Sequence, residues 1–189
     1  MSNKSWNILS DRVVDKERVL DLSGKLGISD LTAQLLINRG IVDSDDADRF
    51  FKFTDTVFHD PYLLYDMEKA VARIEKALSQ KEKIVIYGDY DVDGITSSAL
   101  IFKYLKSRGC SDISFYIPER VDEGYGLNND ALDRFSGEKA NLIITVDTGV
   151  TAFNEVLYAS GLGIDVIVTD HHECPEILPQ AVAIINPKR

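Results

Sequence analysis

Three short stretches of this chain gather the side chains that do chemistry with metal ions and phosphates. They are Gly88-Asp89-Tyr90-Asp91-Val92-Asp93-Gly94, Asp147-Thr148-Gly149 and Asp170-His171-His172-Glu173. Each follows a short apolar, β-branched run. Taken singly, any of these acids serves equally well as a helix cap or turn former. Asp93 before Gly94 fits a turn, and Asp170 fits a turn cap. The combination changes the reading. Two of the three histidines are adjacent after one such run, and acids follow two others. Carboxylates that converge repel one another. A divalent cation removes that conflict, and carboxylate oxygen with imidazole nitrogen suits Mn²⁺ or Mg²⁺ better than a thiolate-preferring metal. His59, in Phe58-His59-Asp60-Pro61, has no such company and is assigned to structure or surface.

Two other motifs share features with the first stretch. Asp-x-Asp-x-Asp-Gly opens an EF-hand loop, which needs a bidentate Glu at its twelfth position and a preceding helix. Counted from Asp89 that position is Leu100, and the preceding segment is strand-like. A phosphate-binding P-loop needs Gly-x-x-x-x-Gly-Lys-Ser/Thr. Gly88 and Gly94 are one residue too far apart for it, and Ile95 stands where the Lys belongs. Neither motif fits.

The elements that must position these residues change character near residue 81. Before it the pattern is helical. Asp15 to Leu26 is short and amphipathic. Ser29 or Asp30 caps a second helix carrying Leu31, Leu35 and Leu36, with Gly40 at its end, and Ser44 caps a third around Ala47 to Phe51. Asp66 caps a longer helix whose Met67, Ala70, Val71, Ile74, Ala77 and Leu78 recur at helical spacing. From residue 81 strands and helices alternate. Lys83–Tyr87, Ile113–Ile117, Leu142–Val146, Val166–Thr169 and Ala181–Ile185 read as strands. Thr96–Ser107, Asn128–Phe135 and Thr151–Ala159 read as helices. Apolar strands spaced by helices predict an α/β fold: a five-stranded, mainly parallel, Rossmann-like sheet with helices on both faces. In such sheets ligands bind beyond the carboxyl ends of the strands, so the three stretches can meet there. The expected organisation is an N-terminal helical region, 1–80, packed on an α/β domain, 81–189. Several of its helices are too short to stand alone, since isolated helices under about 12 residues are marginal in water.

Composition is that of a globular protein, with 44% hydrophobic and 28% charged residues. No run of about 18 apolar residues marks a membrane span, and the start lacks a signal-peptide pattern. Cys110 and Cys174 form neither a CxxC pair nor a ladder. These features predict a cytoplasmic protein with no membrane association. The net charge of -10 opposes nucleic-acid binding, because affinity for phosphate normally comes from Lys and Arg.

The same stretches resemble the RecJ-type branch of the DHH phosphoesterase superfamily, the single-strand-specific DNA exonucleases. Asp170-His171-His172 matches the signature that names the superfamily. Val85 to Ser97 looks like its first RecJ motif, and Val146-Asp147-Thr148-Gly149 like its second. Pro118-Glu119-Arg120 with Glu123-Gly124-Tyr125-Gly126-Leu127 is RecJ-like, as are Arg39-Gly40 and the Asp60-Pro61…Asp66-Met67…Ala70 run. The resemblance implies metal ligands at Asp91 and Asp93, at Asp147 between two ions, and at His171. Asp89 is a further ligand or a support. His172 touches the substrate phosphate or orients a ligand. Arg120 contacts phosphate or forms a salt bridge. Several relatives have a His where this chain has Tyr87.

The implied activity is Mn²⁺- or Mg²⁺-dependent hydrolysis of single-stranded DNA from its 5′ end, with two ions in the complete enzyme. The implied setting is DNA repair and recombination, with single-strand-binding-protein and helicase partners. Family members continue well beyond a fifth strand, with a fourth metal-binding Asp, a second domain and a nucleic-acid-binding module. The chain is therefore expected to be an N-terminal portion, inactive alone. Two alternatives carry different chemistry. One is a DHH phosphodiesterase acting on short oligonucleotides or cyclic dinucleotides, against which the RecJ-like helices speak. The other is a non-catalytic folding or binding fragment, against which the acids at 91, 93 and 147 speak.

Overall fold

The computed structural model describes residues 16–51, 58–119, 121 and 123–189. The chain divides into two units, Met1–His59 and Asp60–Arg189. Three helices form the described part of the first: α1 (Lys16–Leu26), α2 (Asp30–Asn38) and α3 (Ser44–Phe51). Their core is small, built from Val19, Leu22, Ala33, Leu36 and Ala47. The caps follow from local chemistry. The Ser29 hydroxyl accepts the Thr32 N–H at the start of α2. At α3 the Asp43 carboxylate accepts the Asp46 N–H. Asp43 thus takes the capping role expected of Ser44, which becomes the first helical residue.

The second unit contains α4 (Met67–Gln80), β1 (Ile84–Gly88), α5 (Val92–Ser107), β2 (Ile113–Tyr116), α6 (Asn129–Gly137), β3 (Leu142–Val146), α7 (Phe153–Gly161), β4 (Asp165–Thr169) and β5 (Ala183–Ile185). The five strands form one sheet in the order β2-β1-β3-β4-β5, and every pair is parallel. Alternate side chains feed two cores. Ile84, Ile86, Leu142, Ile144 and Ile167 meet Ala70 and Ala77 of α4 and Leu105 of α5. Val85, Tyr87, Ile143, Val166 and Val168 meet Ala131, Leu132 and Phe135 of α6 and Val156 and Ala159 of α7. Both faces of the central strands are buried, which is why they read as unbroken apolar runs.

Two boundaries differ from the sequence expectation. α5 begins at Val92, not Thr96, because the Asp91 carboxylate caps it by accepting the Asp93 and Gly94 N–H groups. The acidic, glycine-containing stretch that looked like loop is the helix's first turn. The unit boundary falls after His59 and not after residue 80, because α4 belongs to the sheet. Its Arg73 is buried there, hydrogen-bonded to Asp165 at the start of β4 and 2.7 Å from the Glu82 carboxylate.

Asp66 also departs from expectation. It stands before α4 with φ 60° and makes no capping bond. Its carboxylate instead accepts from Lys69 Nζ and Arg189 Nη1, each at 2.7 Å, and from the Ile184 N–H. Burial opposes ionisation, but the bonds from Arg189 and Lys69 outweigh it and hold this carboxyl down to about 2. A depressed carboxylate pKa stabilises the fold above its unfolded value of about 3.9, and that contribution is lost as pH falls toward the folded value. Asp66→Asn, which tolerates the same backbone, is expected to lower stability at pH 7 by about 1 kcal/mol after allowance for solvent screening. The gap from wild type should narrow between about pH 4 and pH 2. Urea midpoints at several pH values measure it, and a gap that widens in acid contradicts this account.

Candidate metal centre

The strand order reverses between β1 and β3, which are neighbours although β2 intervenes in sequence. That switch point opens a crevice at the carboxyl ends of the strands. β1, β3 and β4 end there in the three acidic and histidine stretches. Donor atoms of Asp89, Asp91 and Asp147 lie within 4.8 Å of one another, and so do those of Asp147, His171 and His172. Asp147 is common to both groups.

Local chemistry explains each placement. Asp89 follows β1 directly and is buried. The first turn of α5 comes so close that a Cβ on Gly94 would meet the Asp89 backbone at 2.4 Å, so residue 94 must be glycine. Asp91 has two tasks. One oxygen, Oδ1, caps α5, and its carboxylate also contributes to the first donor group. The bonds from the Gly94 and Asp93 N–H groups, against its desolvation, lower its pKa. Asp147 leaves β3 in the left-handed region, φ 63°, a conformation that costs a non-glycine residue on the order of 1 kcal/mol. Burial first, and the Asp91 charge second, raise its pKa. Without a cation the two carboxyls therefore divide their ionisation unequally.

Asp170 sits beneath the histidines. Its side chain is only 1% exposed. Oδ1 accepts the His171 and His172 N–H groups and lies 2.7 Å from His172 Nδ1, and Oδ2 accepts the Val150 N–H. Desolvation works against its ionisation, but these hydrogen bonds win and lower its pKa. The ionised Asp170 holds a proton on His172 Nδ1 and raises the imidazole's pKa. In the neutral ring Nε2 then keeps its lone pair, the arrangement that supports metal-ligating histidines. Asn186, after β5, donates to the His172 carbonyl at 3.0 Å. Tyr125 reaches over from the β2–α6 loop, its hydroxyl 3.2 Å from the Asp147 carbonyl and 3.4 Å from His172 Nδ1.

The donor set fits a divalent cation. Asp89 Oδ1 and Asp147 Oδ1 are buried carboxylate oxygens without a hydrogen-bond partner among the described residues. His171 Nε2 stands 3.0 Å from Asp147 Oδ1 without the alignment of a hydrogen bond. Two ligands about 2.1 Å from one octahedral ion, at right angles, stand about 3.0 Å apart.

The expected site residues are not all alike in placement. Asp89, Asp91, Asp147, His171 and His172 come together. Asp93 lies outside both donor groups. It is exposed in the first turn of α5 and lines a cleft of about 440 Å³ that Asp147 and His171 also line, with Ser97, Leu100, Ile101, Ile185 and Pro187. Asp91 is the cap of α5 and Asp93 a residue of its first turn. Arg120 lies outside the described residues. Tyr87 is fully buried in the core, its hydroxyl donating to the Gly126 carbonyl at 2.8 Å, so it adds no donor to the acid cluster. Sequence reasoning missed Asp170 as an organiser, because a buried acceptor of several N–H groups looks like any turn aspartate. It also missed Tyr125 and Asn186, whose spacing carries no signal.

Residues 83–189 match the DHH family, N-terminal domain. Over 175 residues the chain is 43% identical to the single-stranded-DNA-specific exonuclease RecJ of Bacillus subtilis, covering 93% of this chain and 22% of that protein. A crystal structure of exonuclease RecJ bound to manganese superposes with a TM-score of 0.63 at 34% identity, covering 69% of this chain and 33% of that one. RecJ of Thermus thermophilus in complex with Mn²⁺ gives 0.66 at 26% identity, covering 90% and 23%. The chain thus spans about a fifth of the length of the Bacillus relative.

Asp170→Asn removes the ionised acceptor. In the metal-free protein it is expected to bring the His172 titration back down toward the ordinary imidazole value, and to cost about 2 kcal/mol of stability. NMR titration of the histidine ring and urea melts read the two effects. An unchanged His172 titration would show that Asp170 does not govern the ring.

Proposed function

This chain belongs to the DHH family, and from that premise we propose that it carries the metal-binding part of a single-stranded-DNA exonuclease that hydrolyses phosphodiester bonds from the 5′ end. The observation that carries the reading is Asp147, the one carboxylate common to two donor groups at the switch point of the sheet. Support also comes from the RecJ structures that it resembles, which bind manganese.

Asp89, Asp91 and Asp147 would hold one Mn²⁺ or Mg²⁺, and Asp147, His171 and His172 a second. The chemistry such a pair supplies is a water of lowered pKa and neutralisation of charge on the phosphate and the leaving oxygen. The protein's own part is positioning. Asp91 stays ionised because the α5 N-terminus binds it. Asp170 fixes the ring of His172, so that Nε2 serves as a ligand or as a contact to the substrate phosphate. Asp93, on the wall of the cleft that Asp147 and His171 also line, is proposed as a further ligand, and Arg120 as a contact to the substrate phosphate. Leu100, Ile101, Ile185 and Pro187 give one flank of the cleft an apolar wall.

The DNA preference, the 5′ direction, a role in repair and recombination, a cytoplasmic location, and single-strand-binding-protein and helicase partners follow from the family resemblance. No described helix is long and apolar enough to cross a membrane.

The test is release of mononucleotides from labelled single-stranded DNA with Mn²⁺. A protein of the relatives' full length should digest from the 5′ end, and the 189-residue chain alone should bind Mn²⁺ weakly and digest little. In the full-length protein Asp147→Ala should reduce the rate about a thousandfold or more, equivalent to roughly 4 kcal/mol of barrier. Chelation with EDTA should do the same. Digestion that survives either treatment would refute the proposal.

A further inference from the structure

We infer that Thr145 is a positioning residue for Asp147: its buried hydroxyl holds the turn that keeps residue 147 left-handed, with its carboxylate shared between the two donor groups. The inference rests on the metal-binding reading above and extends it to a residue outside both donor groups.

Four described residues other than glycine have positive φ. Asp66, Lys81 and Lys139 flank helices, whereas Asp147 follows a strand end directly. Nothing in the strand itself favours that reversal, so the turn needs fastening. The next residues supply part of it. Gly149 has φ 107°, and a Cβ there would meet Thr145 Oγ1 at 2.8 Å. The Thr145 side chain therefore lies against the inside of the turn. It is fully buried, and Oγ1 donates to the Thr148 carbonyl at 2.7 Å.

Other backbone groups of the turn and its flanks are also engaged, although the Thr148 hydroxyl has no hydrogen-bond partner among the described residues. The Thr145 carbonyl accepts from Thr169 Oγ1 at 2.6 Å. The Asp147 N–H donates to the Thr169 carbonyl at 3.0 Å. The Val150 N–H goes to Asp170. Thr145 thus joins the carbonyl side of the turn to the strand that precedes it. Valine has nearly the same shape and no donor. It would leave the carbonyl of Thr148, itself only 1% exposed, without this partner. Rotating that peptide toward water or another donor relieves the loss and moves residue 147 away from positive φ. The carboxylate then leaves its shared position while Asp89, Asp91 and His171 stay in place.

The experiment compares wild type, Thr145→Val and Thr145→Ser by calorimetric titration with Mn²⁺ well below their melting temperatures, with a crystal structure of each. Thr145→Val should weaken Mn²⁺ binding about 10–100-fold, the usual effect of losing a partner that orients a ligand, and should shift φ at residue 147. Thr145→Ser keeps the hydroxyl and should bind within about threefold of wild type. A folded valine variant with wild-type affinity overturns the inference, as does a serine variant that loses as much as valine. Should the valine variant not fold, Thr145→Ala replaces it, because its smaller side chain leaves room for a water at the Thr148 carbonyl. If neither folds, the hydroxyl serves the fold at large and the inference fails. Wild type that takes up no Mn²⁺ refutes the metal reading instead. The φ of residue 147 in the valine variant then decides the inference by itself, and an unchanged value overturns it.

Discussion

Repulsion among carboxylates held in a small space is the constraint on which the rest of this structure depends. Donor oxygens of Asp89, Asp91 and Asp147 lie within 4.8 Å of one another. At that separation two unit negative charges repel by roughly 3 kcal/mol or more at an effective dielectric of about 20. For the buried pair, Asp89 and Asp147, that is a large share of the whole stability of a domain, about 5–15 kcal/mol. A fold that keeps them together must supply positive charge or give up ionisation. The metal-free protein does the second in part, with Asp91 held ionised and Asp147 pushed toward its protonated form. Divalent cations do the first, and the two unpartnered oxygens on Asp89 and Asp147 are where that need is concentrated.

The parallel sheet is what makes so crowded an arrangement buildable. Every strand ends on the same edge, so residues distant in sequence arrive together without a long loop to order them. The β1–β3 adjacency places Asp89 and Asp147 side by side, and β4 adds the histidines. The N-terminus of α5 adds a partial positive charge close to Asp91. Asp170 answers the same problem differently. It is as buried as its neighbours but is given N–H donors on both oxygens, so it needs no cation. Of four acids at one sheet edge, Asp170 thus answers its burial with hydrogen bonds alone, while Asp89, Asp91 and Asp147 are the three that the proposed cations would neutralise.

Much of this was legible in the sequence, and the parts that were not share a cause. The strands announce themselves because both faces are covered, and Leu142–Val146 matches to the residue. Asp89, Asp91, Asp147, His171 and His172 could be picked out because polar residues directly after apolar strands must lie at the sheet edge. The start of α5 was misjudged because Asp91 does two tasks. An aspartate that caps a helix and also faces a carboxylate cluster looks, in sequence, like an ordinary loop acid. Asp93 was placed with Asp91 by the family resemblance, and in the structure it stands in the first turn of the helix that Asp91 caps. Asp170, Thr145 and Tyr125 act largely through hydrogen bonds to backbone atoms. No spacing rule reports such bonds. The end of the helical region was misplaced for a related reason. Met67–Gln80 has the period of any amphipathic helix, and only the buried Arg73, joined to Asp165 far along the chain, reveals which core it serves.

The net charge of -10 looks like an objection to any role with nucleic acid. Its force depends on distance. At physiological salt the screening length is about 8 Å, so charges on the solvated faces of the helices contribute little at the strand ends. A phosphate in the crevice meets the local field. There the buried acids are the groups that cations would neutralise, while His172 is already shifted toward its charged form by Asp170. An acidic protein with such a site attracts phosphate only once its metals are bound. On the function proposed above, the acidic balance therefore counts against long-range attraction of a strand and not against a phosphate held in a cation-loaded crevice.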